Sequence, residues 1–285
     1  MFQYVGAAGL VCLCLTAVQA EDFKDIEYSQ AGNVSLKMDA HIPDGKGPFA
    51  SAIIVHGGAW VAGDRVNNVK PLFEPLEKAG FAWFSISYRL AGDVTKNPIG
   101  MAMKLGAAQG DVRRAVAFVK EHAAEYRVDP NRIALIGESA GGQLAAMAGL
   151  RPDADGAVAA VVAFYTPSDL AMLARTTALI PDNVRDAIKG KMIDNLLMAG
   201  LGEFSPINAV SKSAPPFLLI HGTDDNVVPI AQSERFCEKL RDSGGGCELY
   251  RVNEGGHGMR AWEVYKLTDY KTRMVRWLQK VLAQS

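Results

Sequence analysis

Short apolar runs alternate with longer amphipathic stretches along most of the chain. The runs are rich in Val, Ile, Leu and Phe, which is typical of strands buried on both faces of a sheet. They predict seven strands, at residues 35–42, 51–56, 82–88, 132–136, 159–165, 217–221 and 247–252. The amphipathic stretches predict helices at residues 68–79, 110–126, 140–150, 230–242 and 262–282. This alternation predicts an α/β fold with a mostly parallel central sheet and helices on both faces.

Residues 170–204 interrupt the alternation. This segment lies between two predicted strands, is rich in Met, Leu and Ala, and is too long for an ordinary connection. It predicts one or two helices that form a small cap insertion over the strand ends, and the alternative is one enlarged surface helix. Ligands of parallel sheets bind at the C-terminal ends of the strands, so the residues at those ends are the candidates for chemistry.

The first twenty residues carry no charge. Their apolar core runs from Val5 to Val18, and small residues stand one and three positions before a cut after Ala20. This pattern predicts a signal peptide at residues 1–20 and one domain over residues 21–285, although the usual positive N-terminal region is missing. The expected location is secreted or periplasmic, with no stable membrane insertion after signal removal. An N-terminal membrane anchor is the alternative, for which the apolar stretch is short.

Export changes the interpretation of the cysteines. Removal of residues 1–20 would leave two of the four cysteines, Cys237 and Cys247. An exported protein with an even number of cysteines is typical of a disulfide, which would here pin a glycine-rich loop. Two buried free thiols are the alternative.

Composition and charge exclude one class of partner. The chain has 285 residues, a formal net charge of −1, and scattered Lys and Arg residues. These values predict an ordinary globular domain without a nucleic-acid surface. They leave the oligomeric state open.

Three predicted strands end in residues that suit acyl transfer. Ser139 lies in GESAG at a strand-to-helix corner, where glycines on both sides relieve backbone crowding. Asp224 and Asp225 follow the strand at 217–221, and His257 lies in the glycine-flanked loop EGGHG. A serine hydroxyl needs a base to take its proton and a carboxylate to orient that base. The order Ser139, Asp225, His257 is the one expected of an α/β hydrolase.

A fourth strand runs into the turn HGGAW at residues 56–60. A tetrahedral intermediate carries a developing oxyanion that needs fixed N–H donors nearby. The candidate donors are the backbone N–H groups of this turn together with that of Ala140. Trp60 either lines the mouth of the pocket or packs as an aromatic residue of the turn.

Several segments together resemble the alpha/beta hydrolase superfamily. They are HGGAW, SYRL, GESAGG, SPINAV, PPFLLIHGTDDNVVP and EGGHG. Within the superfamily, residues 35–282 are similar to the exported bacterial esterase/lipase group that includes acetyl xylan and feruloyl esterases. The resemblance implies the alpha/beta hydrolase fold, Ser139 as nucleophile, His257 as base, and no metal or organic cofactor. It also implies the N–H groups of Gly58 and Ala59 as oxyanion donors beside Ala140, because Ala59 stands where relatives have the third glycine of His-Gly-Gly-Gly, with Gly57 a doubtful neighbour. It favours Asp225 as the acid because Asn-Val-Val-Pro follows it, whereas Asp224 could cap the turn.

These observations predict a serine carboxylic ester hydrolase that forms an acyl-enzyme. Its expected partners are small-molecule or polysaccharide esters with short-acyl or carbohydrate-linked groups. The alternatives are a serine peptidase similar to the prolyl oligopeptidases and a non-catalytic binding module on the same fold. A metallohydrolase built from His56, His221, Asp224 and His257 is a further alternative, but these residues lack the usual ligand spacing and leave Ser139 unexplained. His56 and His221 are interpreted as hydrogen-bonded structural residues.

Overall fold

An eight-stranded sheet forms the centre of the computed structural model, which describes residues 18–91, 98–176, 186 and 189–283, without the side chains of residues 98–103 and 193. The strand order is β1-β2-β4-β3-β5-β6-β7-β8. The first two strands pair antiparallel, β2 also pairs antiparallel with β4, and the remaining neighbours are parallel. The strands are β1 (Glu21–Ala31), β2 (Val34–Ile42), β3 (Phe49–Val55), β4 (Ala82–Ile86), β5 (Val128–Glu138), β6 (Ala160–Phe164), β7 (Phe217–Gly222) and β8 (Cys247–Val252).

Helices cover both faces of this sheet. They are α1 (Phe73–Lys78), α2 (Pro98–Glu121), α3 (Ala140–Leu150), α4 (Leu170–Thr176), α5 (Met192–Glu203), α6 (Ala231–Asp242), α7 (Met259–Val264) and α8 (Asp269–Leu282). Successive residues of a buried strand point to opposite faces. Ile53 and Val55 of β3 therefore pack with α2, α3 and α6, whereas Ala52 and Ile54 pack with α1, α7 and α8. This double burial explains why the central parallel strands β3, β6 and β7 are mostly apolar.

The predicted fold class is confirmed, and the seven predicted strands are β2 to β8. Strand β1 is absent from the prediction. Its sequence EDFKDIEYSQA is mostly exposed, and its register shifts between Phe23 and Ile26 and again between Glu27 and Ser29. These irregularities break the alternation of apolar and polar residues by which an edge strand is recognised.

Two helix predictions are wrong in their bounds. Helix α2 is Pro98–Glu121 instead of residues 110–126. The helix continues through Gly106 and Gly110, and the ring of Phe204 packs 3.6 Å from where a Cβ of Gly106 would be. The predicted helix at 262–282 is two helices, α7 and α8. They are separated at Lys266, whose φ of 58° is left-handed and ends a helical turn.

The described part of residues 170–204 forms two helices, α4 and α5, which pack against each other. Residues 177–185, 187 and 188 lie outside the described residues, so the cap insertion stays a prediction. The signal peptide also stays a prediction, because residues 1–17 lie outside the described residues. In the described part of the chain, no helix combines the length and apolar character needed to cross a bilayer.

Candidate active site

Ser139 occupies a strained corner between β5 and α3. Its φ of 52° and ψ of −120° are a backbone conformation that L-residues rarely adopt. A Cβ at Gly137 would lie 2.2 Å from the carbonyl oxygen of Gly141, and a Cβ at Gly141 would lie 2.2 Å from that of Val55. Only glycine therefore fits on either side of the serine, which confirms the predicted reason for these two glycines.

Ser139, His257 and Asp225 form a continuous hydrogen-bonded chain. The Oγ atom of Ser139 lies 3.0 Å from Nε2 of His257, and Nδ1 of His257 lies 2.7 Å from Oδ2 of Asp225. A carboxylate only accepts hydrogen bonds, so Nδ1 carries the proton and Nε2 is left to accept from the serine hydroxyl. The three residues follow β5, β8 and β7, whose C-terminal ends meet at one edge of the sheet. Their roles stay a prediction, and this geometry is the one that the prediction requires.

The structure distinguishes Asp225 from Asp224. Asp224 is exposed, and its carboxylate accepts a hydrogen bond from the Thr223 hydroxyl rather than from His257. The carboxylate of Asp225 is buried, and its Oδ1 accepts the N–H groups of Val227 at 2.9 Å and Val228 at 2.8 Å. Burial acts to raise the pKa of Asp225, but the hydrogen bonds from His221, His257 and the Val228 N–H outweigh it and hold that pKa below its ordinary value. Asp225 is therefore ionised and fixed in place.

His221 also lies beside the Asp225 oxygen that bonds to His257. Its Nε2 lies 2.8 Å from the carbonyl oxygen of Val228 and 3.4 Å from Oδ2 of Asp225, so both neighbours of Nε2 are acceptors. Nε2 therefore carries a proton, and Nδ1 accepts a hydrogen bond from the hydroxyl of Ser233 at 2.7 Å. His221 is thus a buried, hydrogen-bonded residue that positions the acid.

The turn after β3 holds two of the three predicted oxyanion donors, Gly58 and Ala59, and the third, Ala140, begins α3. Gly58, with φ of 117°, is required because a Cβ there would lie 2.1 Å from the carbonyl oxygen of Ala62. Ala59 keeps the left-handed φ of 51° although it carries a side chain. The N–H groups of Gly58, Ala59 and Ala140 make no hydrogen bond with any described residue. The N–H of Gly57 differs, because it donates to Oε1 of Glu138 at 2.6 Å and is not available to an oxyanion.

Trp60 and His56 are packed residues of this turn. Trp60 is only 3% exposed, so its side chain does not line the mouth of the pocket, and its indole N–H donates to Oε1 of Gln143 at 3.0 Å. His56 is buried, stacks on Tyr88 with ring centroids 4.4 Å apart, and bonds through Nδ1 to the carbonyl oxygen of Gly57 at 2.7 Å. Burial lowers the pKa of His56. Both side chains stabilise the turn.

Two side chains beside the site were not singled out from the sequence. Glu138 is 6% exposed and immediately precedes Ser139. Tyr165 follows β6, is fully buried, and places its ring against that of His257 with centroids 4.7 Å apart. A charged residue that ends an apolar strand was the available signal for Glu138. Tyr165 carried no such signal, because an aromatic residue at the end of an apolar run is ordinary core.

A disulfide joins Cys237 of α6 to Cys247 of β8, with Cα atoms 5.5 Å apart. Within the described residues, no group of three or more His, Cys, Asp or Glu side chains is arranged to hold a metal ion.

Comparison with known proteins identifies the family. The model of the BD-FAE family matches residues 38–240, which include Ser139 and Asp225. This protein belongs to the BD-FAE family. The family match ends before His257, whereas the similarity to a solved carbohydrate esterase structure covers 92% of the chain.

Relatives of this BD-FAE protein are named as esterases. It is 33% identical over 233 residues to a probable carboxylic ester hydrolase, LipM, of Mycobacterium tuberculosis, covering 76% of this chain and 51% of the relative. It is 25% identical over 285 residues to an acetylxylan esterase of Xylanibacter ruminicola, covering 96% of this chain and 54% of the relative. A truncated carbohydrate esterase from gut microbiota has a similar structure, with a TM-score of 0.72, 28% identity, and coverage of 92% and 96% of the two chains. The BD-FAE protein thus spans about half the length of the curated relatives it matches.

Proposed function

We propose that this BD-FAE protein is a serine carboxylic ester hydrolase with Ser139 as nucleophile, His257 as base and Asp225 as acid. The observation that carries the proposal is the hydrogen-bonded chain from Ser139 through His257 to Asp225. The predicted oxyanion donors Gly58, Ala59 and Ala140 bond through their N–H groups to no described residue. A structural serine needs neither a strained backbone nor a histidine held by a buried carboxylate. The names of the relatives support the same reaction class.

The reaction proceeds in two steps. Nε2 of His257 takes the Ser139 proton while Oγ attacks the ester carbonyl carbon, and the oxyanion is held by the N–H groups of Gly58, Ala59 and Ala140. The intermediate collapses, and the alcohol leaves with the proton from His257. Water, deprotonated by His257, then attacks the acyl-enzyme, and His257 returns that proton to Oγ of Ser139 as the acyl–oxygen bond breaks and the acid is released. Asp225 stays ionised throughout and stabilises the imidazolium.

Short-acyl or carbohydrate-linked esters are the proposed substrates. Support comes from the acetylxylan esterase and the carbohydrate esterase among the similar proteins. An exported, secreted or periplasmic location belongs to the same proposal. It is supported by the uncharged apolar sequence at residues 1–20 and by the disulfide between Cys237 and Cys247, since disulfides persist in oxidising compartments.

The test is acid release by the purified protein beside Ser139→Ala. The substrates are p-nitrophenyl acetate, butyrate and decanoate, methyl ferulate and acetylated xylan. Turnover of the acetyl substrates that requires Ser139 supports a carbohydrate acetylesterase, and turnover of methyl ferulate assigns feruloyl esters instead. Folded protein that hydrolyses none of these esters contradicts the proposal and returns the peptidase and binding-module alternatives.

A further inference from the structure

The carboxylate of Glu138 is built into the oxyanion turn. Glu138 is the last residue of β5, 81 positions after Gly57 in the chain. Its Oε1 accepts the N–H of Gly57 at 2.6 Å. A Cβ at Gly57 would lie 2.4 Å from Oε1 and 2.8 Å from Oε2 of Glu138. The carboxylate therefore occupies the space in which a side chain of residue 57 would stand. The glycine at this position is required by Glu138, and the two residues fix each other.

Glu138 also connects to the loop that carries the base. The Tyr165 hydroxyl and the Asn68 side chain are polar neighbours of the carboxylate and stabilise its charge. The Tyr165 oxygen accepts the N–H of Met259 at 3.1 Å, two residues beyond His257, and the Tyr165 ring packs against the His257 ring. One buried carboxylate thus joins the turn that offers the oxyanion donors to the loop that presents the histidine.

Glu138 is held in its buried place by polar partners. Burial raises the pKa of Glu138 above its ordinary value, although the Gly57 N–H, Tyr165, the charge of His257 and Asn68 oppose that rise. These partners offset part of the cost of burying the side chain. The bond from the Gly57 N–H is the one that fixes the oxyanion turn.

We propose that Glu138 is a positioning residue for ester hydrolysis: its carboxylate holds the oxyanion turn through the N–H of Gly57. This inference rests on the proposed function of Ser139, His257 and Asp225. The effect is exerted in the transition state, because the oxyanion that the turn must meet develops there. Loss of the bond from Glu138 to the turn should therefore lower kcat more than it changes KM.

Two substitutions test the bond to the turn. Glu138→Gln keeps the shape and an acceptor for the Gly57 N–H, whereas Glu138→Asp withdraws the acceptor by one methylene. For Glu138→Asp we expect kcat for p-nitrophenyl acetate to fall about tenfold or more with KM within about threefold. For Glu138→Gln, the conservative variant, we expect kcat to stay within about threefold of the parent value.

Asp224→Asn is the matched control, because it removes an exposed carboxylate that bonds to Thr223. Its kcat and KM should stay within about threefold of the parent values. A Glu138→Asp protein with parental kcat overturns the inference, as does a Glu138→Gln protein that loses as much kcat as Glu138→Asp. If Glu138→Asp does not fold, Glu138→Ala, which also lacks an acceptor at that place, decides by the same two outcomes. If the parent protein itself lacks Ser139-dependent hydrolysis, the proposed function fails instead.

Discussion

The indole N–H of Trp60 donates a hydrogen bond to the side-chain oxygen of Gln143, with Nε1 and Oε1 3.0 Å apart. The amide nitrogen of the same Gln143 donates to the carbonyl oxygen of Phe204 at 2.7 Å, just beyond α5. Gln143 is fully buried on α3, one helical turn after Ser139. A single side chain thus ties the oxyanion turn to the nucleophile helix and to the end of the segment 170–204.

We expect Gln143→Leu to lower the free energy of unfolding by about 2–4 kcal/mol, because it leaves the Trp60 N–H and the Phe204 carbonyl unpaired inside the protein. Urea denaturation measures this loss. Gln279→Leu on the exposed face of α8 is the control and should change stability by less than about 0.5 kcal/mol. A Gln143→Leu protein as stable as the control would show that neither hydrogen bond contributes.

The backbone strain at Ser139 gives a second prediction. Its φ of 52° and ψ of −120° suit glycine, and strain of this kind costs about 1–3 kcal/mol in other residues. Ser139→Gly should relieve the strain at an entropic cost of about 0.5–1 kcal/mol. We therefore expect the free energy of unfolding of Ser139→Gly, measured by urea denaturation, to exceed that of Ser139→Ala by about 1 kcal/mol. Both proteins should be inactive. The reverse order of stability would mean that the corner is not strained.

The neighbouring aspartates allow a matched comparison of catalytic roles. Asp225→Asn removes the charge that holds His257 and should lower kcat by about 10⁴. Asp224→Asn should leave kcat within about threefold, because Asp224 is exposed and contacts Thr223 instead. Steady-state hydrolysis of p-nitrophenyl acetate measures both. Equal losses in the two proteins would place the acid elsewhere.

Asp225 also couples stability to pH. Its pKa in the folded protein is below the ordinary 3.8, so near that pH the unfolded chain binds more protons than the native protein. This contribution to stability is complete above the unfolded pKa and is lost as pH falls toward the folded pKa. Urea denaturation between about pH 5 and pH 3 should show a steeper loss of stability in the parent protein than in Asp225→Asn. Parallel curves would contradict the lowered pKa.

The sequence identifies the parts of the fold whose pattern is local. Strands β3, β4, β6 and β7 are recognisable because burial on both faces makes them mostly apolar, and α3 because its residues 140–150 are all buried. Strand β1 is not, since its register shifts twice along an exposed edge. The same distinction holds at the site. Ser139, Asp225 and His257 stand beside glycines or at strand ends, whereas the bond between Glu138 and Gly57 joins two strands that are adjacent only after folding.

The central claim is that Ser139 is an activated nucleophile, and covalent labelling tests it most directly. The folded protein is incubated with a fluorophosphonate, and intact mass spectrometry and peptide mapping locate the adduct. We predict one adduct per chain, on Ser139, formed by the parent protein and absent from Ser139→Ala. A folded parent protein that stays unlabelled, or one labelled equally after Ser139→Ala, would contradict the account.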